Sequence, residues 1–188
     1  MIAVMKDQDK RIHPHKFTMW IALASIVMMF AGLTSAYLIK RNLANWMPFD
    51  IPLIFWYSSG VIILSSFAIH KSKSSFKNRE MRKYRLWLGL TLLLGILFIV
   101  LQYLGFRQLW LDGFTLTRNV SFSFLYIIIG LHALHVVGGV IALLVNYVKA
   151  SSTRRKVYSP VGIEIMSTYW HFVDLLWLYL FIFLMMIK

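Results

Sequence analysis

Four side chains in the C-terminal half of this chain are chemically out of place: His132, His135, His171 and Asp174 all lie in long apolar runs. A histidine or carboxylate at mid-depth in a membrane helix costs about several kcal/mol unless it finds a partner. His132 and His135 are three residues apart, as are His171 and Asp174, so each pair shares one face of a helix. Three imidazoles and a carboxylate form a ligand set for a metal ion or the rungs of a proton relay. The competing reading is a polar core in which His and Asp hydrogen-bond across helices while small residues let the backbones approach. The residues favour the polar core. Gly130, Gly138 and Gly139 flank the first pair, no further acidic residue lies within the apolar runs, and a spacing of three between histidines is common. The expectation is therefore contact between the histidines of the fourth apolar run and Asp174 of the fifth.

Those residues must be positioned by membrane helices. Of the 188 residues 59% are hydrophobic and 14% charged, far from the balance of a water-soluble domain. A bilayer core of about 30 Å needs roughly 20 apolar residues in a helix. Residues 17–38, 86–104, 122–148 and 165–187 meet that, and 51–69, opening with Pro52 in its first turn, comes close. The fold class is thus an all-α membrane protein, a bundle of five transmembrane helices forming one domain over 1–188. Trp20, Tyr37, Trp46, Trp56, Tyr57, Trp87, Tyr103 and Trp110 fall near the ends of these runs and read as interfacial anchors.

The net charge of +13 sits in the connecting segments. Fifteen Lys and Arg fall on one side of the five spans and five on the other, which places the N-terminus in the cytoplasm and the C-terminus in the periplasm. Anionic headgroups account for this charge, and nucleic acid is not an expected partner. The stretch 70–85, with seven Lys and Arg, reads as a solvated basic loop. The absence of cysteine rules out disulfides and thiolate metal sites. No signal peptide is evident, since the first run is too long and lacks a small-residue cleavage site. At about 1.5 Å per residue, His135 lies about 20 Å from the inner boundary and Asp174 about 16 Å, on helices that a short loop makes antiparallel neighbours. Gln102 reads as an interhelical hydrogen-bond partner, and His13 and His15, around Pro14, as residues of the headgroup region.

The segment Thr168–Leu180, TYWHFVDLLWLYL, resembles the signature of subunit III of haem–copper oxidases of the cytochrome c oxidase type. Gly130–Gly139, GLHALHVVGG, is similar to the paired-histidine motif of the preceding helix in that family, and LASIVMMFAGLTSAY and LLLGILFIVLQY fit the first and third helices in order. The resemblance implies a non-catalytic subunit of an aerobic respiratory complex in the bacterial inner membrane. It implies no cofactor in this chain, haem and copper in the partner subunits, bound phospholipid, and packing against oxidase subunits I and II. It also assigns His132, His135, Gly138, Gly139, Trp170, His171, Asp174 and Trp177 to inter-helix structure and assembly.

Three departures accompany it. The common family form has seven helices, so this chain lacks the first two, which an extended subunit I carries in some relatives. Ile26 follows Ser25 where the family places a glutamate, and Gly105 stands where a second glutamate follows Gln102. A proton-linked role for those carboxylates does not transfer. Other readings are an accessory subunit of a quinol oxidase or nitric oxide reductase of the same family, and a free-standing metal or proton transporter. The last would require a polar path continuing through the other helices, and an inverted repeat would often accompany it; neither is visible.

Overall fold

The computed structural model describes residues 14–41, 52–114, 120–151 and 160–187. His13, Trp46, Lys6, Lys10, Arg11, Arg118, Arg154, Arg155, Lys156 and Lys188 lie outside them. Five helices make up the described chain: α1 (Pro14–Arg41), α2 (Leu53–Lys77), α3 (Met81–Leu111), α4 (Val120–Ser151) and α5 (Pro160–Ile187). Each is long and apolar enough to cross a membrane. At 25 to 32 residues they exceed what a hydrocarbon core of about 30 Å requires, so the helices tilt or project beyond it.

The buried positions explain how the helices pack. In α3 they are Tyr84, Leu88, Thr91, Gly95, Phe98, Gln102, Gly105 and Leu109, alternating by four and three residues. In α5 Ile163, Met166, Trp170, Val173, Trp177, Leu180 and Leu184 follow the same rhythm, as do His132, Val136 and Gly139 in α4. A mean period of 3.5 keeps one seam of each helix facing its neighbours, the repeat on which coiled coils are built. In α2 large and small residues alternate on this seam: Phe55, Ile62 and Ile69 at intervals of seven, each followed three residues on by Ser58, Ser65 or Ser72. Small residues at a membrane-helix contact permit close packing and supply hydroxyls for cross-helix bonds.

Helix α2 packs along α3 and also on α5; α4 packs on α3, α5 and α1; α1 packs on α4 and α5. Among the described residues α1 and α2 do not touch. Helix α5 therefore joins the two sides of the bundle. A Lys16–Glu164 ion pair of 2.5 Å ties the N-terminal ends of α1 and α5, which makes these two helices parallel. The outer faces carry Met28, Leu86, Leu175 and Met186, each more than two thirds exposed. That is an untenable surface in water and an ordinary one in lipid.

Two sequence expectations are corrected. The basic stretch 70–85 is not a loop: α2 runs on to Lys77, α3 begins at Met81, and three residues make the turn. Nothing there breaks a helix, and Ser72, Ser75 and Tyr84 are buried in the α2–α3 contact, where Ser72 Oγ donates to the Tyr84 carbonyl at 3.4 Å. Tyr37 is no interfacial anchor. It is fully buried, with its ring edge-on to Phe124 and Phe183.

Candidate functional site

Trp170 sits where four helices meet. Its indole Nε1 donates to Ser65 Oγ of α2 at 2.7 Å. Its ring fills the space left by two glycines: a Cβ on Gly95 of α3 would lie 2.8 Å from Trp170 Cη2, and one on Gly139 of α4 would lie 2.9 Å from Cζ3. Two turns along α5, Trp177 Nε1 donates to Ser59 Oγ at 2.9 Å, and its ring packs against Phe98 and His132 with centroids 5.2 Å away in each case. Both indoles are buried and their one polar group is met, as a buried Trp requires. Gln102 Nε2 extends this polar seam by donating to Ser58 Oγ at 3.2 Å, in line with its expected interhelical role.

The four titratable residues are not brought together. His132 is fully buried among Phe30, Phe98 and Trp177, and among the described residues neither ring nitrogen makes a hydrogen bond. His135 Nδ1 donates to the Leu131 carbonyl one turn back at 2.7 Å, and the Tyr169 hydroxyl donates to the His135 carbonyl at 3.0 Å. His171 faces α2 instead, with Nδ1 2.6 Å from Ser66 Oγ and its ring 6.3 Å from that of His70. Asp174 is buried beside Ser66, yet among the described residues neither carboxylate oxygen has a hydrogen bond of acceptable geometry. The expected contact between the α4 histidines and Asp174 is therefore not made. The register of α5 explains this: the rings of Trp170 and Trp177 fill the space against Gly139 and His132 of α4, and His171 and Asp174 lie beside Ser66 of α2. Among the described residues no three His, Asp or Glu stand close enough to hold a metal ion.

Gly138 is near only the Tyr169 hydroxyl, at 3.9 Å from an added Cβ, whereas Gly139 is the close-contact glycine. Sequence reasoning missed Ser59, Ser65, Ser66 and Gly95. The recurrence of serines at 58/59, 65/66 and 72 is the signal that could have found the first three. The two positions lacking family carboxylates are filled. Ile26 packs against the core, and a Cβ on Gly105 would meet Phe55 Cζ at 2.9 Å.

The hydrogen bonds and ring contacts of Trp170 and Trp177 link α5 to α2, α3 and α4. Residues 12–187 match the family described as cytochrome c oxidase subunit III. The chain is 33% identical to the cytochrome c oxidase subunit 3 of Synechocystis sp., over 90% of its own length and 75% of that protein. It is 28% identical to the same subunit of Bacillus sp. (strain PS3), over 86% of this chain and 80% of that one. To the cytochrome bo(3) ubiquinol oxidase subunit 3 of Buchnera aphidicola it is 30% identical, over 87% of each.

Proposed function

The chain belongs to the cytochrome c oxidase subunit III family, and from that premise we propose how it serves its complex. It is an accessory subunit III of a haem–copper oxidase and a multi-pass bacterial membrane protein. In our reading it packs on subunit I and stabilises it, with subunit II in the same assembly. Cytochrome c is the electron donor, and haem and copper reside in those partners. The chain acts as one domain over 1–188 in the inner membrane, with its N-terminus in the cytoplasm and its C-terminus in the periplasm.

His132, His135, Gly138, Gly139, Trp170, His171, Asp174 and Trp177 serve structure and assembly. The observation that carries this role is Trp170, whose indole is hydrogen-bonded to α2 and wedged against glycines of α3 and α4. A residue placed so serves to fix helix positions. Asp174, buried beside Ser66 of α2, supports the structural half of the proposal. A quinol oxidase is the second reading, favoured by the likeness to the ubiquinol oxidase subunit of Buchnera aphidicola.

The test is purification of the tagged chain in mild detergent, with a reduced-minus-oxidised spectrum and mass spectrometry of co-purifying subunits. Haem bands together with the large oxidase subunits are expected, and turnover with reduced cytochrome c or with quinol identifies the donor. A colourless, solitary chain would overturn the accessory role.

A further inference from the structure

Ser66 of α2 serves two titratable side chains of α5 and has one hydrogen to give. Its Oγ is 2.6 Å from His171 Nδ1, and it lies beside the buried carboxyl of Asp174, one turn further along α5. A hydroxyl donates once and accepts twice. A neutral imidazole accepts at one ring nitrogen, and a protonated one donates at both. Among the described residues the Asp174 oxygens have no hydrogen bond of acceptable geometry, so the Ser66 hydrogen is not spent on them. Were His171 Nδ1 the donor, that hydrogen would be free for the carboxyl beside it, and no such bond is formed. The arrangement is that of a neutral His171 taking the Ser66 hydrogen at Nδ1 and leaving Asp174 without one.

Protons reach His171 from one end of the bundle. Its half-buried ring is 6.3 Å from that of His70, an exposed residue one turn along α2 from Ser66 and on the way to the α2–α3 turn. Among the described residues the charged or titratable neighbours acting on His171 are His70 and Lys73, both on α2. Around the rest of α5, Glu164 is paired with Lys16 of α1, and His132 and His135 of α4 stand against Phe30 of α1. We propose that His171, Ser66 and Asp174 form a proton-operated switch, in which a proton bound at His171 Nδ1 reverses the bond to Ser66 and turns the hydroxyl hydrogen onto Asp174. The imidazolium then donates, Ser66 Oγ accepts from it and donates in turn, and the carboxyl accepts, as it does in either of its own protonation states. One proton is bound and no other bond is made or broken. Ser66 then grips α5 at two points a turn apart where it gripped one. The α2–α5 contact thus tightens as the end bearing the α2–α3 turn acidifies, whichever side of the membrane that end faces.

The test is infrared difference spectroscopy between about pH 8 and about pH 5, the range in which histidine titrates. It is made on the tagged chain as it purifies in mild detergent, together with the subunits that accompany it. Bands of the Asp174 carboxyl are identified by their loss in Asp174→Asn, and those of the His171 ring by their loss in His171→Gln. In wild type the carboxyl bands are expected to shift with the same midpoint as the ring bands. Ser66→Ala is expected to keep the ring titration and lose the carboxyl shift, and His171→Gln to lose both. A carboxyl signal constant over the whole range in wild type would overturn the switch. So would a shift that survives Ser66→Ala, since the hydroxyl would then not carry it. A shift that survives His171→Gln would show Asp174 responding to pH by itself, and would overturn the switch even where Ser66→Ala does not fold.

Discussion

At the scale of single residues, this protein places its most polar side chains where they shape packing. Trp170 illustrates it, and its substitutions separate two contributions. Trp170→Phe removes the bond to Ser65 with part of the ring and is expected to cost about 1–2 kcal/mol, whereas Trp170→Ala also opens a cavity and costs about 3–5 kcal/mol. Gly139→Ala drives a methyl group into that indole and costs about 1–3 kcal/mol. Reversible unfolding in mixed micelles, followed by Trp fluorescence, checks all three. Equal effects of Phe and Ala at 170 would show that ring volume contributes nothing beyond the hydrogen bond. Asp174 behaves differently. Since neither of its oxygens has a hydrogen bond of acceptable geometry among the described residues, its replacement by Leu is expected to change the stability of the isolated subunit by no more than about 1 kcal/mol. The same variant is expected to lower recovery of the assembled oxidase, measured as subunit stoichiometry after affinity purification. A large loss of stability in the isolated chain would point instead to an intramolecular partner for the carboxylate.

At the scale of helices, the two ends of the α2–α3 hairpin use one device with different chemistry. Each helix closes with paired backbone bonds. At the end of α2 Arg79 N–H reaches the Phe76 carbonyl and Glu80 N–H the Ser75 carbonyl; at the end of α3 Gly113 reaches Trp110 and Phe114 reaches Leu109. This closure requires a left-handed residue, which is Gly113 at φ 81 in one case and Arg79 at φ 58 in the other. A side chain is strained there, so Arg79→Gly is expected to stabilise the hairpin by about 0.5–1 kcal/mol, again by unfolding in micelles. The same turn shows what the sequence concealed. Number and type of helices were legible because five apolar runs are unmistakable, but 70–77 carries the charge of a loop while its buried face, Ser72, Ser75 and the partly buried Phe76, packs as helix against α3. The partner of His171 was hidden for a related reason. Serines on α2 look neutral in a sequence, and which of them meets an imidazole or an indole depends on the register between helices distant in the chain. Trp170, Trp177 and Gly139, by contrast, stood out by type and spacing.

At the scale of the whole molecule, the count of spans and the distribution of charge make a joint prediction. Five crossings would put the start of α1 and the end of α5 on opposite sides of the membrane, with the basic α2–α3 turn on the side of the start of α1. Alkaline phosphatase fused after Lys188 should be active in the periplasm, and the same enzyme inserted between Arg79 and Glu80 should be inactive. The reverse pattern would invert the assigned topology. Chain order and contacts together predict an order of assembly. Helices α2 and α3, linked by three residues, meet as soon as both exist, and α4 can then join α3. Helix α1, made first, touches neither α2 nor α3 and must wait for α4 and α5. Since α5 alone bridges α1 and α2, and brings Trp170 and Trp177 to their serines, the last of the five to leave the ribosome is the one that closes the bundle. A nascent chain stalled before α5 therefore exposes a seam of unfilled glycines and unbonded serines to lipid, a mark by which membrane quality control could tell unfinished copies from finished ones.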